Sequence, residues 1–212
     1  MKKLINNWYI VSLLLAVILA AFAFVEREDG TRLFLLASGA VLSIHFFEEF
    51  GYPGGFPLLG VRVMLGSDET DSTKWNCNNL NSWLSNWLCL LLVYLMPLIL
   101  PNVHFLLLSA IILSVAELMM HLIIFTLRQK KVYNPGIVTT LVGLTPILIW
   151  FLTKHFDAGM YHWYEWIIAF VYFVICFGLC FRSPIYWKLG GLEGYPLSDQ
   201  TAYGFEKDTI RS

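Results

Sequence analysis

Six long apolar runs separated by short polar breaks dominate the chain, at 7–25, 33–50, 80–100, 103–127, 137–153 and 161–181. Each approaches the ~20 residues a helix needs to cross a bilayer, so the pattern predicts an all-α, polytopic bundle of about six transmembrane helices. The expected division is a transmembrane domain over 1–181 and a polar, cytoplasmic tail over 182–212, partly ordered at best. Between the third and fourth runs lies only a Pro101-Asn102 turn, which makes a tight helical hairpin. The long break, 51–79, is expected on the cytoplasmic side. It opens with Gly51-Tyr52-Pro53-Gly54-Gly55-Phe56-Pro57, which cannot continue a helix, and then runs through an apolar stretch at 58–65. That stretch reads equally as an ordinary loop, a surface segment, or a lid dipping into the bundle. The first run follows Lys2 and Lys3 and ends at Ala21-Phe22-Ala23, the outline of a cleaved signal peptide. Its length exceeds the ~7–15 residues of a signal core, which favours a retained helix.

Composition narrows the class. The 212 residues are 58% hydrophobic and only 14% charged, with a net charge of −1 and a mean hydropathy of +0.65. Little apolar material is left for a soluble core, and no basic surface suits nucleic acid. A cytosolic globular enzyme, a disordered chain and a nucleic-acid-binding module are therefore excluded. Of the 14 basic residues, all but Arg27, Arg32 and Lys154 fall on the side of the two termini, so both termini are predicted cytoplasmic. Trp150, Trp163 and Trp166 near outer span ends, and Trp83 and Trp87 near an inner end, suit interfacial anchoring. The four cysteines, Cys77, Cys89, Cys176 and Cys180, do not form a secreted disulfide framework. Cys176 and Cys180 lie one helical turn apart, a spacing open to a soft metal but more typical of small buried hydrophobes.

The chemistry lies in the ionisable groups inside the apolar runs. A carboxylate in hydrocarbon costs at least a few kcal/mol and needs a partner, a cavity or a cation. His45-Phe46-Phe47-Glu48-Glu49 ends the second run, and Glu117-Leu118-Met119-Met120-His121 lies in the fourth. Helical geometry places Glu49 about 40° from His45 and Glu48 about 60° on its other side, so all three can face one site. His45 falls about thirteen residues into its span and Glu117 about fourteen, at similar depth in the cytoplasmic half. The two clusters can therefore meet. Imidazole and carboxylate are the donors of zinc hydrolases and of di-iron bundles, and packed glutamates cannot all ionise without a cation. A metal site formed by His45, Glu48, Glu49, Glu117 and His121 is the leading expectation, with a metal-free proton relay and plain interhelical salt bridging as alternatives. Asn86 lies deep enough to require a hydrogen-bonding role. Asn134-Pro135 reads both as a site residue and as a helix start with Asn as cap and Pro in the first position; Asn79 and Asn81 likewise suit caps. The His162/Glu165 pair near the outer end of the sixth run is expected to be interfacial.

Together, His45-x-x-Glu48-Glu49, Tyr52-Pro53-Gly54-Gly55-Phe56-Pro57, Glu117-x-x-x-His121 and Tyr133-Asn134-Pro135-Gly136 with Thr139 resemble the HXXEE-motif family of bacterial membrane proteins. The similarity covers most of the bundle, from Leu33 to Trp150. It implies a multispan protein of the bacterial inner (cytoplasmic) membrane with a metal or catalytic site, and it names no reaction.

The leading functional expectation is a metal-dependent intramembrane hydrolase acting on a lipid-like or membrane-embedded substrate. A divalent ion, zinc first and iron second, would be held by the histidines and some of the glutamates. Glu49 is the candidate general base, with Asn86 or Asn134 stabilising developing charge. A di-iron oxidase or hydroxylase would want four carboxylates where three are convincing. A proton- or cation-coupled transporter using the same cluster is the reading from another class; the internal duplication common in transporters is not visible.

Overall fold

The computed structural model describes residues 1–211. Among them the chain forms six helices long and apolar enough to cross a membrane. They are α1 (Trp8–Val25), α2 (Gly30–Phe50), α4 (Asn79–Ile99), α5 (His104–Gln129), α6 (Ile137–Lys154) and α7 (Trp163–Phe181). A short α3 (Phe56–Leu59) lies between α2 and α4, and α8 (Pro184–Gly190) and α9 (Asp199–Tyr203) follow the last span. This is an integral membrane protein.

α2 is the central helix, the most buried of the six. Small residues at Ser38, Gly39, Ala40 and Ser43 let its neighbours approach closely, and Gly39 meets Leu19 of α1 and Leu90 and Tyr94 of α4. α1 answers with Ser12, Ala16, Leu19 and Ala23, spaced three and four apart on its one buried face. Such small-residue seams are how helices associate where lipid removes the hydrophobic drive. Around α2 an apolar core runs through Phe34, Leu108 and Phe151, and at mid-bundle Tyr94 and Ser114 share a hydrogen bond of 2.7 Å.

Three of the spans contain a π-helical turn. Those at Leu91–Leu95 and Thr140–Leu144 each end two residues before a proline, Pro97 and Pro146. A proline ring clashes with the carbonyl four residues earlier, and a widened turn relieves that clash. The third, Met120–Phe125, contains no proline; its cause lies in the site described below.

One expectation changes and one open reading narrows. The tail does not hang loose: Thr201, Ala202 and Tyr203 of α9 are buried and pack with Leu58, Val61 and Trp75 of the 51–79 segment into a second small core. That segment is itself no ordinary loop. α3 continues into a π-helical turn at Gly60–Met64, and Pro57, Leu58, Leu59 and Val61 are all buried. The four cysteines are free, as thiols buried or partly buried in helices and a loop.

Candidate metal centre

α2 and α5 meet at the depth their sequences suggested. His45 of α2 and His121 of α5, each 1% exposed, stand edge to face with ring centroids 4.9 Å apart and planes at 90°. Glu49 lies one turn beyond His45 and Glu117 one turn before His121, so each helix contributes one imidazole and one carboxylate to the same point. His45 Nε2 is 3.3 Å from Glu49 Oε1 and 3.8 Å from Glu117 Oε2. His121 Nε2 is 3.7 Å and 3.4 Å from the same two oxygens. Donors bound tetrahedrally at about 2.1 Å lie about 3.4 Å apart, near the 3.8 and 3.4 Å that separate Glu117 Oε2 from the two imidazole nitrogens. Donor atoms of His45, Glu117 and His121 all fall within 4.8 Å of one another.

Neighbouring side chains decide which nitrogen faces the centre. Asn134, fully buried, donates its Nδ2 to the His121 carbonyl at 2.8 Å, which turns its Oδ1 to His121 Nδ1 at 2.7 Å. That nitrogen carries a proton, so Nε2 is the nitrogen that faces inward. On the other side the Thr139 hydroxyl donates to Glu48 Oε2 at 2.6 Å and therefore accepts from His45 Nδ1 at 2.9 Å. Both imidazoles thus turn Nε2 to the two carboxylates, an arrangement that suits a cation between them. The donor set fits a divalent ion with nitrogen and oxygen ligands.

The same contacts explain the π-helical turn in α5. Thr126 Oγ1 and Asn134 Nδ2 both donate to the His121 carbonyl, at 3.0 and 2.8 Å, and so interrupt the helical ladder there. Gly136 is confined for a related reason: its φ is +98°, and a Cβ at this position would run into both imidazole rings.

Not every expected residue joins the centre. Glu48, expected as a ligand, faces away from it. Its carboxylate accepts from the backbone N–H groups of Val138 (3.1 Å) and Thr139 (2.9 Å), from the Thr139 hydroxyl, and from Tyr133 OH at 3.5 Å. The 60° offset from His45 carries it to the amino-terminal end of α6, where unpaired N–H groups and the helix dipole stabilise the charge. Burial, with the Glu48 carboxylate nearby, pushes the Tyr133 phenol above its ordinary range, so it remains a donor. Asn134 is not a helix cap: α6 begins at Ile137, after Gly136 in the left-handed region. Asn86 donates to Ser82 O within its own helix at 2.8 Å and lines the same cavity as the four donors, without touching them. The cap of α4 is Asn78, whose reciprocal partner is Asn81, while Asn79 donates to Pro196 O. At the other end of α7, His162 N–H donates to Glu165, whose other oxygen lies 3.3 Å from His104 Nδ1.

A cavity of about 580 Å³ opens off the donors. Its walls are mostly apolar, from Leu113 of α5, Phe173 and Phe177 of α7, and Phe56, Val61 and Met64 of the α3 segment, with Ser82, Ser85 and Asn86 of α4 as a polar strip. The buried serines and Arg182 on the rim are contributors that the sequence reading missed; only the three- and four-residue spacing of Ser82, Ser85 and Asn86 signalled a shared face.

A family model described as a protein of unknown function with an HXXEE motif matches residues 34–151. The chain belongs to this family. No curated protein and no solved structure matches it. The matched region runs from Phe34 on α2 to Phe151 on α6, and it contains all four donors with Thr139 and Asn134. Within the HXXEE motif the first and last positions, His45 and Glu49, face the centre, while Glu48 holds the amino-terminal end of α6.

Proposed function

We propose that the protein is a metal-dependent intramembrane hydrolase of the bacterial inner membrane that acts on a lipid-like substrate. The observation that carries this reading is the meeting of two inward-facing imidazole Nε2 atoms and two carboxylates at 3.3–3.8 Å, on the wall of an apolar cavity. His45, His121 and Glu117 would hold a divalent ion, zinc foremost, leaving one coordination position open. When bound, such an ion supplies Lewis acidity to a substrate oxygen. Glu49, buried beside both imidazoles, accepts a proton from the attacking water as general base. Thr139 and Asn134 fix the two rings. Asn86 keeps a second amide N–H beyond the one it gives to Ser82, available to an oxygen that gains charge.

With Glu48 committed to α6, two carboxylates remain at the centre, fewer than the four of the familiar di-iron bundle. The transport reading finds less support, because on the outer side of the site the bundle is filled by Phe34, Leu108, Tyr94 and Phe151.

Elemental analysis of detergent-purified protein tests the reading. About one equivalent of zinc is expected in the wild type and none in His45→Ala or His121→Ala. Glu49→Gln should keep the metal and lose hydrolysis of an ester-bearing lipid by about 10²–10⁴-fold. A folded, metal-free wild type, or a Glu49→Gln variant of full activity, ends the proposal.

A further inference from the structure

The cavity carries a cation that the centre does not use. Two basic residues line it, Lys74 and Arg182. Lys74 is already paired, 3.5 Å from Glu69 and 3.6 Å from Asp71. Arg182 has no carboxylate within ion-pair distance among the described residues. Its guanidinium lies 5.9 Å from the Phe177 ring centroid and donates one N–H to the Phe181 carbonyl at 3.0 Å, which leaves most of its five donors free.

Height along the bundle says what this cation faces. His104 and Glu165 pair at 3.3 Å, so the outer ends of α5 and α7 stand at one level. Both helices run inward from there. At the helical rise, Glu117 and His121 lie about 20 and 26 Å below that level, and Arg182 lies about 26 Å below it. Arg182 therefore stands at the depth of the His/Glu centre, exposed at the rim of the same cavity. Phe173 and Phe177 line α7 about 12–18 Å below the outer level, back toward the bilayer interior. Polar ends meet at one depth, and the apolar wall extends from them toward the hydrocarbon. That is the outline of a single-chain amphiphile held head-inward in the cytoplasmic leaflet.

We infer that the substrate is an anionic amphiphile whose headgroup lies between the Arg182 guanidinium and the centre, with its alkyl chain along Phe173 and Phe177. The inference rests on the hydrolase reading for the word substrate; the binding site itself stands on the geometry. Guanidinium forks match phosphate and carboxylate oxygens bidentately, so either oxyacid headgroup satisfies the same chemistry.

The test is binding of dodecyl phosphate to the purified full chain in an uncharged maltoside detergent, followed by calorimetry, with dodecanol, laurate and inorganic phosphate as comparators. Wild type is expected to bind dodecyl phosphate at least tenfold more tightly than dodecanol. Arg182→Gln should lose that tenfold advantage and Arg182→Lys should keep part of it, with zinc content unchanged in both. Laurate binding as well as dodecyl phosphate assigns a carboxylate source to the same site. Equal binding of dodecanol, undiminished binding by Arg182→Gln, or inorganic phosphate binding as tightly as its dodecyl ester would each overturn the inference. Arg182-dependent binding in a wild type that carries no metal would remove the hydrolase reading and leave the anion site standing.

Discussion

Thr139 is the residue on which the electronic arrangement of the centre hinges, because its one hydroxyl serves two buried partners. It accepts from His45 Nδ1 and donates to Glu48 Oε2, at 2.9 and 2.6 Å. Replacing it by Val removes the hydroxyl at nearly constant shape and leaves both partners short of a hydrogen bond, a loss of about 1–3 kcal/mol for each group stranded without water. Thr139→Val is therefore expected to lower the melting temperature and to weaken zinc binding by about 10–100-fold in a chelator competition, as losses of ring-orienting partners do. Thr139→Ser should restore both. Zinc affinity equal in Thr139→Val and wild type would show that His45 needs no such support. The sequence made the ionisable residues visible because glutamate in an apolar run demands an explanation. It did not reveal their partition. His45, Glu49, Glu117 and His121 converge as helical spacing required, whereas Glu48 differs from Glu49 only by an angle, and the N–H groups that claim it lie about ninety residues away.

At the scale of elements, span positions could be read closely because hydrocarbon thickness fixes their length. The starts and interruptions of helices were harder. α4 begins at Asn79 because Asn78 caps it: Asn78 Oδ1 accepts from Leu80 and Asn81 N–H groups, and Asn81 Oδ1 returns a bond to the Asn78 N–H. Three neighbouring asparagines offered competing candidates, and the choice depends on a contact distant in sequence. Asn78 Nδ2 lies 2.9–3.0 Å from the carbonyls of Leu189, Gly190 and Leu192, tying α8 to the start of α4. Two substitutions separate these tasks. Asn78→Ser keeps a good cap but lacks the amide that reaches the three carbonyls, so the start of α4 should hold while proteolysis in 191–197 accelerates. Asn78→Ala loses both and should cost a further ~1 kcal/mol for the cap. Equal proteolysis in wild type and Asn78→Ser would refute the tether.

For the whole molecule, the tail packs on the 51–79 segment, which supplies Phe56, Val61 and Met64 to the cavity wall. The tail looked loose because it is polar, and its buried residues sit in helices too short to show a periodic stripe. Its order comes from contacts, not local propensity. Gly55 N–H donates to Thr201 O at 3.0 Å, Gln200 donates to Pro53 O, and Tyr203 OH donates to Thr70 O while accepting from Ser72 N–H. Gly54 and Gly55 have φ of +73° and +97°, and a Cβ on either would press into the backbone of Gln200 or of Tyr203 and Gly204. Beyond α9, Glu206 reaches Arg62 Nη1 at 2.6 Å and Lys131 Nζ at 2.9 Å, joining the tail to the 51–79 segment and to the loop after α5. Partial burial pushes the Glu206 carboxyl up, but the bonds from Lys131 and Arg62 outweigh it and hold it below the usual carboxylate range. The sign of the pH effect follows. A depressed folded value means that this contribution is fully present above the unfolded pKa, about 4.3, and is lost as pH falls through the lower, folded one. Hydrogen exchange over 199–206, corrected for intrinsic rates, should therefore show constant protection from pH 7 to about 5 and a decline below about 4. Glu206→Gln should lack the part of that decline due to this carboxyl and should already show reduced protection at neutral pH. An acid step of full size in Glu206→Gln would assign the tail's pH response to other groups.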